Sequence, residues 1–385
     1  MSEYLEDEVV EVLRIHGADA VDVTALRVRS LARARHIHRW RIGLTSAATA
    51  VAVFGLGTLI SASSGVDASP TFGAASPYGS AAEPTKAGVT TSLPPSDQPG
   101  AAVRPDLVAK DPGTLHFDVD TAAIGVTGIS YSNDGGVESA QTWSGAVGHY
   151  TVWYSLAQTR ADLDRNNVVM GQSHDPVVNT EVFGRAATLA RYPGGVDGKQ
   201  PVYQITWQPT KALWAKVEVE ADDTAAAMKA VFALKLNHSQ RCVAPFRLGQ
   251  LPTGYRWTGC EISLGPSKPW ETAGITLTGP KGHEIGVNIG YYSTGGPFTA
   301  NTTAGGRPAQ WIERSEQPSG TSGTSITPAQ LFIPITDWVN ILIDAPSTGA
   351  ANDWLTKAEA VQFAALIDVG SNFTNPTAWP ERPVG

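Results

Sequence analysis

Beyond about Gly113 the chain alternates apolar and polar residues in short runs broken by Gly, Pro, Asn and Asp. This period-two pattern predicts antiparallel strands joined by turns. "HYTVWYS", "PVYQITW", "WAKVEVE", "GITLTG", "EIGVNIGYYS" and "WVNILIDA" are the clearest cases. Two stretches switch to helical spacing. "DDTAAAMKAVFALKL" sets Met228, Val231, Phe232 and Leu234 on one face behind a capping Asp222 or Asp223. "NDWLTKAEAVQFAALIDV" does the same with Leu355, Ala358, Val361, Ala365 and Leu366 after Asn352 and Asp353.

These elements occur twice in one order. "GHYTVWYS" at Gly148 matches "GHEIGVNIGYYS" at Gly282, and "GRAATLAR" at Gly184 matches "GRPAQWIER" at Gly306. "LWAKVEVE" matches "DWVNILID", which sets Trp214 opposite Trp338. Each set closes with its helix. The pattern predicts an α+β fold, with two copies, residues 113–241 and 242–385, of an antiparallel sheet carrying a C-terminal helix across one face.

The earlier residues read differently. Leu5, Val9, Val12 and Leu13 recur at helical spacing in "SEYLEDEVVEVLRIHG", with acidic residues in the first turns and Gly17 as a stop. A head of residues 1–41 is too small to bury its own core, so this stripe is a candidate partner-binding surface. Residues 42–64 hold no charge and are long enough to cross a hydrocarbon core of roughly 30 Å. Arg33, Arg35, Arg39 and Arg41 precede them, and the first charge afterwards is Asp67. The positive-inside rule then predicts one transmembrane helix, a cytoplasmic N-terminus and an extracytoplasmic C-terminal domain, with the lipid bilayer as partner. A signal cleaved after Ile60-Ser61-Ala62 or Val66-Asp67-Ala68, and a buried soluble helix, are the rival readings. Residues 65–112, rich in Pro, Ser, Ala and Gly, are expected to be a disordered tether.

Charge and cysteines sharpen this picture. The net charge is -8, and residues 1–41 hold seven acidic and seven basic side chains, so the excess lies beyond them. Such a balance argues against nucleic acid as a partner and leaves the arginines as topology signals. Cys242 and Cys260 bracket "VAPFRLGQLPTGYRWTG" on the predicted outer side. An oxidising compartment allows them to pair and staple the start of the second copy; two free buried thiols are the alternative.

Catalytic patterns are missing. There is no GxSxG, P-loop or Rossmann glycine pattern, and His283-Glu284 lacks the second histidine of a zinc protease motif. Asp118 with Asp120, and Asp162 with Asp164, have the spacing of a shared strand face, but solvated acids are the simpler reading. The expectation is a protein without enzymatic activity, cofactor or metal. Ten of the eleven tryptophans lie in the predicted outer part. Trp214 and Trp338 are expected in the core. Trp270 and Trp379, each beside proline, are expected to be exposed and free to stack on a ligand.

The acidic helix, arginine run and apolar segment together resemble the uncharacterised single-pass membrane proteins that actinobacteria encode beside extracytoplasmic-function sigma factors. "LPTGYRWTG", "GRPAQWIE", "WVNILID" and "KAEAVQFAALI" are similar to the sensor-like outer domains attached to such anchors. The resemblance implies a regulatory, anti-sigma-like protein that contacts a cytoplasmic sigma factor through Leu5, Val9, Val12 and Leu13. The zinc motif of many anti-sigma domains is absent, since the head contains no cysteine. The alternative is an envelope-anchored module that binds a glycan, peptide or lipid and has no signalling role.

Overall fold

The alternating runs all join one sheet. The computed structural model describes residues 92–144, 149–166, 168–169, 172–193, 200–266, 268, 270–280, 282–292, 298–319, 323–345 and 355–385. The first half contributes β1 (Gly128–Asp134), β2 (Val137–Ser144), β3 (His149–Ala157), β4 (Val178–Val182), β5 (Arg185–Tyr192), β6 (Val202–Thr210) and β7 (Leu213–Glu220). The second contributes β8 (Arg256–Leu264), β9 (Thr272–Thr278), β10 (Glu284–Gly290), β11 (Thr302–Ala304), β12 (Arg307–Ile312), β13 (Gln330–Pro334) and β14 (Asn340–Asp344). Read outward from the centre, one side runs β1-β2-β3-β7-β6-β5-β4 and the other β8-β9-β10-β14-β13-β12-β11, the same order twice. Four short α-helices accompany the sheet among the described residues: α1 (Thr121–Ile124), α2 (Arg160–Arg165), α3 (Thr224–Phe232) and α4 (Lys357–Ala364).

The expected α+β class, with a separate sheet in each copy, is therefore corrected to a mostly β fold built on one large antiparallel sheet. The reason lies at the centre. β1 and β8, each of which would be an open edge in a lone half, pair antiparallel with Cys260 opposite Asn133, Ile262 opposite Tyr131 and Leu264 opposite Ile129. Pairing satisfies the backbone groups that two free edges would leave bare. Ser263 Oγ adds a 2.9 Å hydrogen bond to Ser130 Oγ across this seam.

The expected membrane localisation is also corrected. No helix among the described residues is long and apolar enough to cross a membrane. The longest, α3, has nine residues, about 14 Å at 1.5 Å per residue. The apolar residues here follow strand periodicity instead. A single-pass topology with a cytoplasmic N-terminus, and the bilayer as partner, is thus unsupported; residues 42–64, on which that expectation falls, lie outside the described residues.

Alternation along the strands separates the two faces. Ile129, Tyr154, Val217, Ile262, Ile275, Val287 and Ile341 point into one core shared by both halves. The opposite face of the first half buries polar groups, among them Ser130, Gln141, Ser155, Lys216 and Glu218. α3 begins at the N-cap Asp223, whose carboxylate accepts the Ala226 amide at 2.8 Å. α4 begins later than Asn352 and Asp353, at Thr356, which forms a capping box with Glu359.

Residues 92–112, expected within the tether, are folded onto the seam. Leu93 and Val108 are buried. Two polar side chains of the core face hold the segment that follows. Asn133 Nδ2 donates to the carbonyls of Asp111 and Thr114 at 2.8 and 2.9 Å, and Glu138 accepts the amides of Ala109 and His116 at 2.8 and 2.6 Å. Gly100 fits only because it lacks a side chain, since a Cβ there would stand 2.5 Å from the Asn237 carbonyl carbon. Cys242 and Cys260 form a disulfide with their Cα atoms 6.1 Å apart. The Cys242 amide donates to the Gly113 carbonyl at 2.8 Å, so the bridge ties this segment to the seam strand β8.

Candidate functional site

The sequence-derived candidates scatter. Leu5, Val9, Val12 and Leu13, and the arginines at 33, 35, 39 and 41, lie outside the described residues. Trp270 and Trp379 are buried, at 0% and 5% exposure, and pack edge to face with ring centroids 5.4 Å apart. Tyr291 tilts against Trp270 at 5.5 Å, and Trp379 Nε1 donates to the Phe373 carbonyl at 2.9 Å. These two tryptophans are core, not a ligand platform. Trp338 departs the other way: it is 52% exposed, in the turn between β13 and β14 closed by the Ile335 amide on the Val339 carbonyl at 2.8 Å. Trp214 lies half-buried beneath the Arg160 guanidinium, 5.5 Å from its ring.

The acidic pairs are occupied by ordinary partners. Asp120 meets Lys235 at 3.0 Å, Asp164 meets Arg160 at 2.9 Å, and Asp162 pairs with Arg165. His283 Nε2 lies 3.1 Å from the Tyr255 hydroxyl.

A small cavity of about 190 Å³ opens beside the seam, lined in part by Asp118, Thr121, Tyr131, Lys235, Gln240 and Leu264. Its polar groups satisfy one another. Tyr131 OH and Gln240 Nε2 both donate to Asp118 Oδ1, at 2.9 and 2.6 Å, and Gln240 Nε2 also reaches the Phe117 carbonyl at 3.2 Å. Burial, with the Asp118 charge second, pushes the Tyr131 hydroxyl well above its ordinary pKa, so it remains a neutral donor. The network ties β1 to Asp118 and Gln240 beside the seam.

Buried charge sits elsewhere as well. On β7, Lys216 Nζ lies 3.4 Å from Glu218 Oε2, with both side chains 1% exposed. Lys216 also donates to the Asn166 carbonyl, and Glu218 accepts the Val168 amide at 3.1 Å. Burial lowers the lysine pKa and raises the glutamate pKa, each against the partner's opposing pull.

Glu271 is a simpler case. Burial raises its carboxyl pKa above the usual 4.5, and Lys268 offsets this only in part. The folded state therefore holds this proton more tightly than the unfolded chain. Its contribution is full below pH 4.5 and is lost as pH rises through the raised folded value. Glu271→Gln should remove this part of the loss: in denaturant titrations at a series of pH values, the variant declines less steeply than the parent above pH 4.5, where Glu218 still contributes to the fall.

One exposed site stands apart. Two-residue turns join β4 to β5 through Phe183-Gly184 and β11 to β12 through Gly305-Gly306, closed by the pairs Val182–Arg185 and Ala304–Arg307. All four turn residues have positive φ, at 49°, 70°, 57° and 75°. Such turns match the twist of a hairpin and suit glycine. At Gly305 a Cβ would stand 2.9 Å from the Ala364 carbonyl oxygen, at the end of α4. The corresponding position of the first half holds Phe183, at a backbone cost on the order of 1–2 kcal/mol. Its ring meets Phe232, the last residue of α3, edge to face at 5.4 Å. Both rings nevertheless remain more than half exposed, at 55% and 56%. Val177 and Val178, on and before the outermost strand β4, are exposed nearby in sequence. The signal was present in the sequence: aligning "EVFGR" with "TAGGR" sets a phenylalanine against a glycine, one residue before the stretches compared above.

No protein-family model matches the sequence, and neither does any curated protein. Two solved structures show a loose likeness. One is the crystal structure of MucB in complex with MucA(peri), with 11% identity and a TM-score of 0.19, covering 66% of this chain and 97% of that one. The other is the MucA/MucB complex of Pseudomonas aeruginosa, with 12% identity and a TM-score of 0.18, covering 70% of this chain and 99% of that one. At such scores the likeness carries no argument about this chain.

Proposed function

We propose that this is a non-enzymatic binding protein of a regulatory kind, which holds another protein on the aromatic face made by Phe183 and Phe232. The observation that supports this is the backbone of Phe183. A bulky residue at positive φ carries strain, and here the strain places a ring half in water, where it adds little to the fold. The matching turn of the second half keeps glycine. An exposed aromatic pair at low rotamer entropy is the kind of anchor on which protein interfaces concentrate their binding energy. The envelope-ligand alternative loses its proposed platform, because Trp270 and Trp379 are buried.

The test places a photoreactive phenylalanine analogue at Phe183 and, as a control, at Trp338, which is equally exposed but sits in another turn. Irradiation of native cells should yield a discrete protein adduct from position 183 alone. No adduct, or the same adducts from both positions, overturns the proposal. With the analogue moved to the neighbouring Phe232, Phe183→Gly should abolish capture yet leave stability within about 1 kcal/mol of the parent, because relief of backbone strain offsets the lost ring contact. A collapse in stability would instead mark the pair as core.

A further inference from the structure

We infer that the partner enters as an extended strand on the open edge of β4, its side chains alternating between apolar and basic. This rests on the aromatic face being a docking site and adds how the partner's backbone is held. β4 pairs with β5 through five consecutive positions without a register shift, and among the described residues no strand pairs with its outer side. The two-residue turn makes Val182–Arg185 the hydrogen-bonded closing pair. By alternation, Val182, Thr180 and Val178 then turn their backbone groups toward β5, and Asn179 and Glu181 turn theirs outward.

Natural sheets defend such edges by shortening them or by adding lysine, proline or a bulge. The opposite edge of this sheet does so: β11 is only three residues long. β4 is five residues long and contains no lysine, proline or bulge, and exposed Val178 lies on it. An edge of this length and regular register, guarded only by the charge of Glu181, offers amides and carbonyls at the spacing that an extended polypeptide matches.

Chemistry on the two faces of β4 then specifies the partner. Val178, Thr180 and Val182 share a face with Leu189 and Ala187 of the core, the side on which α3 ends at Phe232. Partner side chains on this side cover Val178, Phe183 and Phe232 and must be apolar. The other face shows exposed Asn179 and Glu181, in a chain of net charge -8, so alternate partner residues are lysine or arginine.

Random nine-residue peptides displayed against the full-length protein give the test. Winners are synthesised and titrated against the parent, Glu181→Pro and Phe183→Gly. Proline at 181 removes one outward donor and leaves the ladder to β5 intact. The expected winners alternate apolar and basic residues, bind Glu181→Pro about tenfold or more weakly, and slow hydrogen exchange at the Asn179 and Glu181 amides of the parent. The exchange measurement stands even if the proline variant fails to fold. Apolar residues at helical spacing, or unprotected amides with binding still lost in Phe183→Gly, overturn strand addition but keep the aromatic face. Binding indifferent to both variants, or no winners, overturns both readings. A dimer in sedimentation that Glu181→Pro dissolves assigns the edge to a second copy and overturns the heterologous partner.

Discussion

Glu218→Leu should lower the stability of the fold by about 3–5 kcal/mol, the usual cost of stripping one partner from a buried ion pair. Glu218 neutralises Lys216, and both side chains are 1% exposed. With leucine at 218 the ammonium keeps the Asn166 carbonyl and the weaker pull of Asp164, and the Val168 amide loses the Glu218 carboxylate. Burial already pulls the lysine toward neutrality, so the variant should shed that proton on folding and become more stable as pH rises toward 10.5. The double variant Lys216→Met/Glu218→Leu should recover most of the loss, because two apolar side chains satisfy the space without a charge. Urea titrations of the three proteins decide it. If the double variant is as unstable as the single one, the damage comes from the Val168 contact and not from the charge.

Loss of the disulfide should cost about 3 kcal/mol, from the entropy of closing a loop of this size. The bridge spans 18 residues. For a domain of nearly 300 residues this corresponds to a fall in Tm of about 5 °C. Placement makes the effect global. Cys260 lies on β8 and faces Asn133 of β1, while Cys242 joins the segment held by Gly113. Cys242→Ser/Cys260→Ser should therefore shift one cooperative transition in calorimetry. Two separated transitions would show that the seam does not couple the halves.

Much of the strand content was legible from alternation alone. "GITLTG" and "EIGVNIGYYS" fall on β9 and β10, which run Thr272–Thr278 and Glu284–Gly290. Asp223 was legible as a cap because the capping interaction is local. The Thr356–Glu359 capping box was equally local, but Asn352 and Asp353 drew the helix start four residues early. What period and propensity could not reveal was the pairing of β1 with β8, a register between strands some 130 residues apart. The same holds for Trp270 and Trp379. Each neighbours a proline, which reads as loop, yet their burial comes from meeting each other and Tyr291 across the chain. Of the candidate site, Phe183 was visible only as a mismatch between two hairpins, and its exposure followed from where α3 ends.

The seam has the form of an interface between like subunits, since the first strand of each half meets the first strand of the other, antiparallel. A chain cut in the connection near Leu251, with the Cys242–Cys260 bridge reduced, would give two fragments, each with its first strand as an open edge and the other fragment as its natural complement. Joining them covalently frees each half from the demand for self-complementarity that a true homodimer imposes. One half can keep its glycine turn against α4 while the other exchanges that glycine for an aromatic anchor, so the single chain can show a partner one face where a symmetric pair would have to show two.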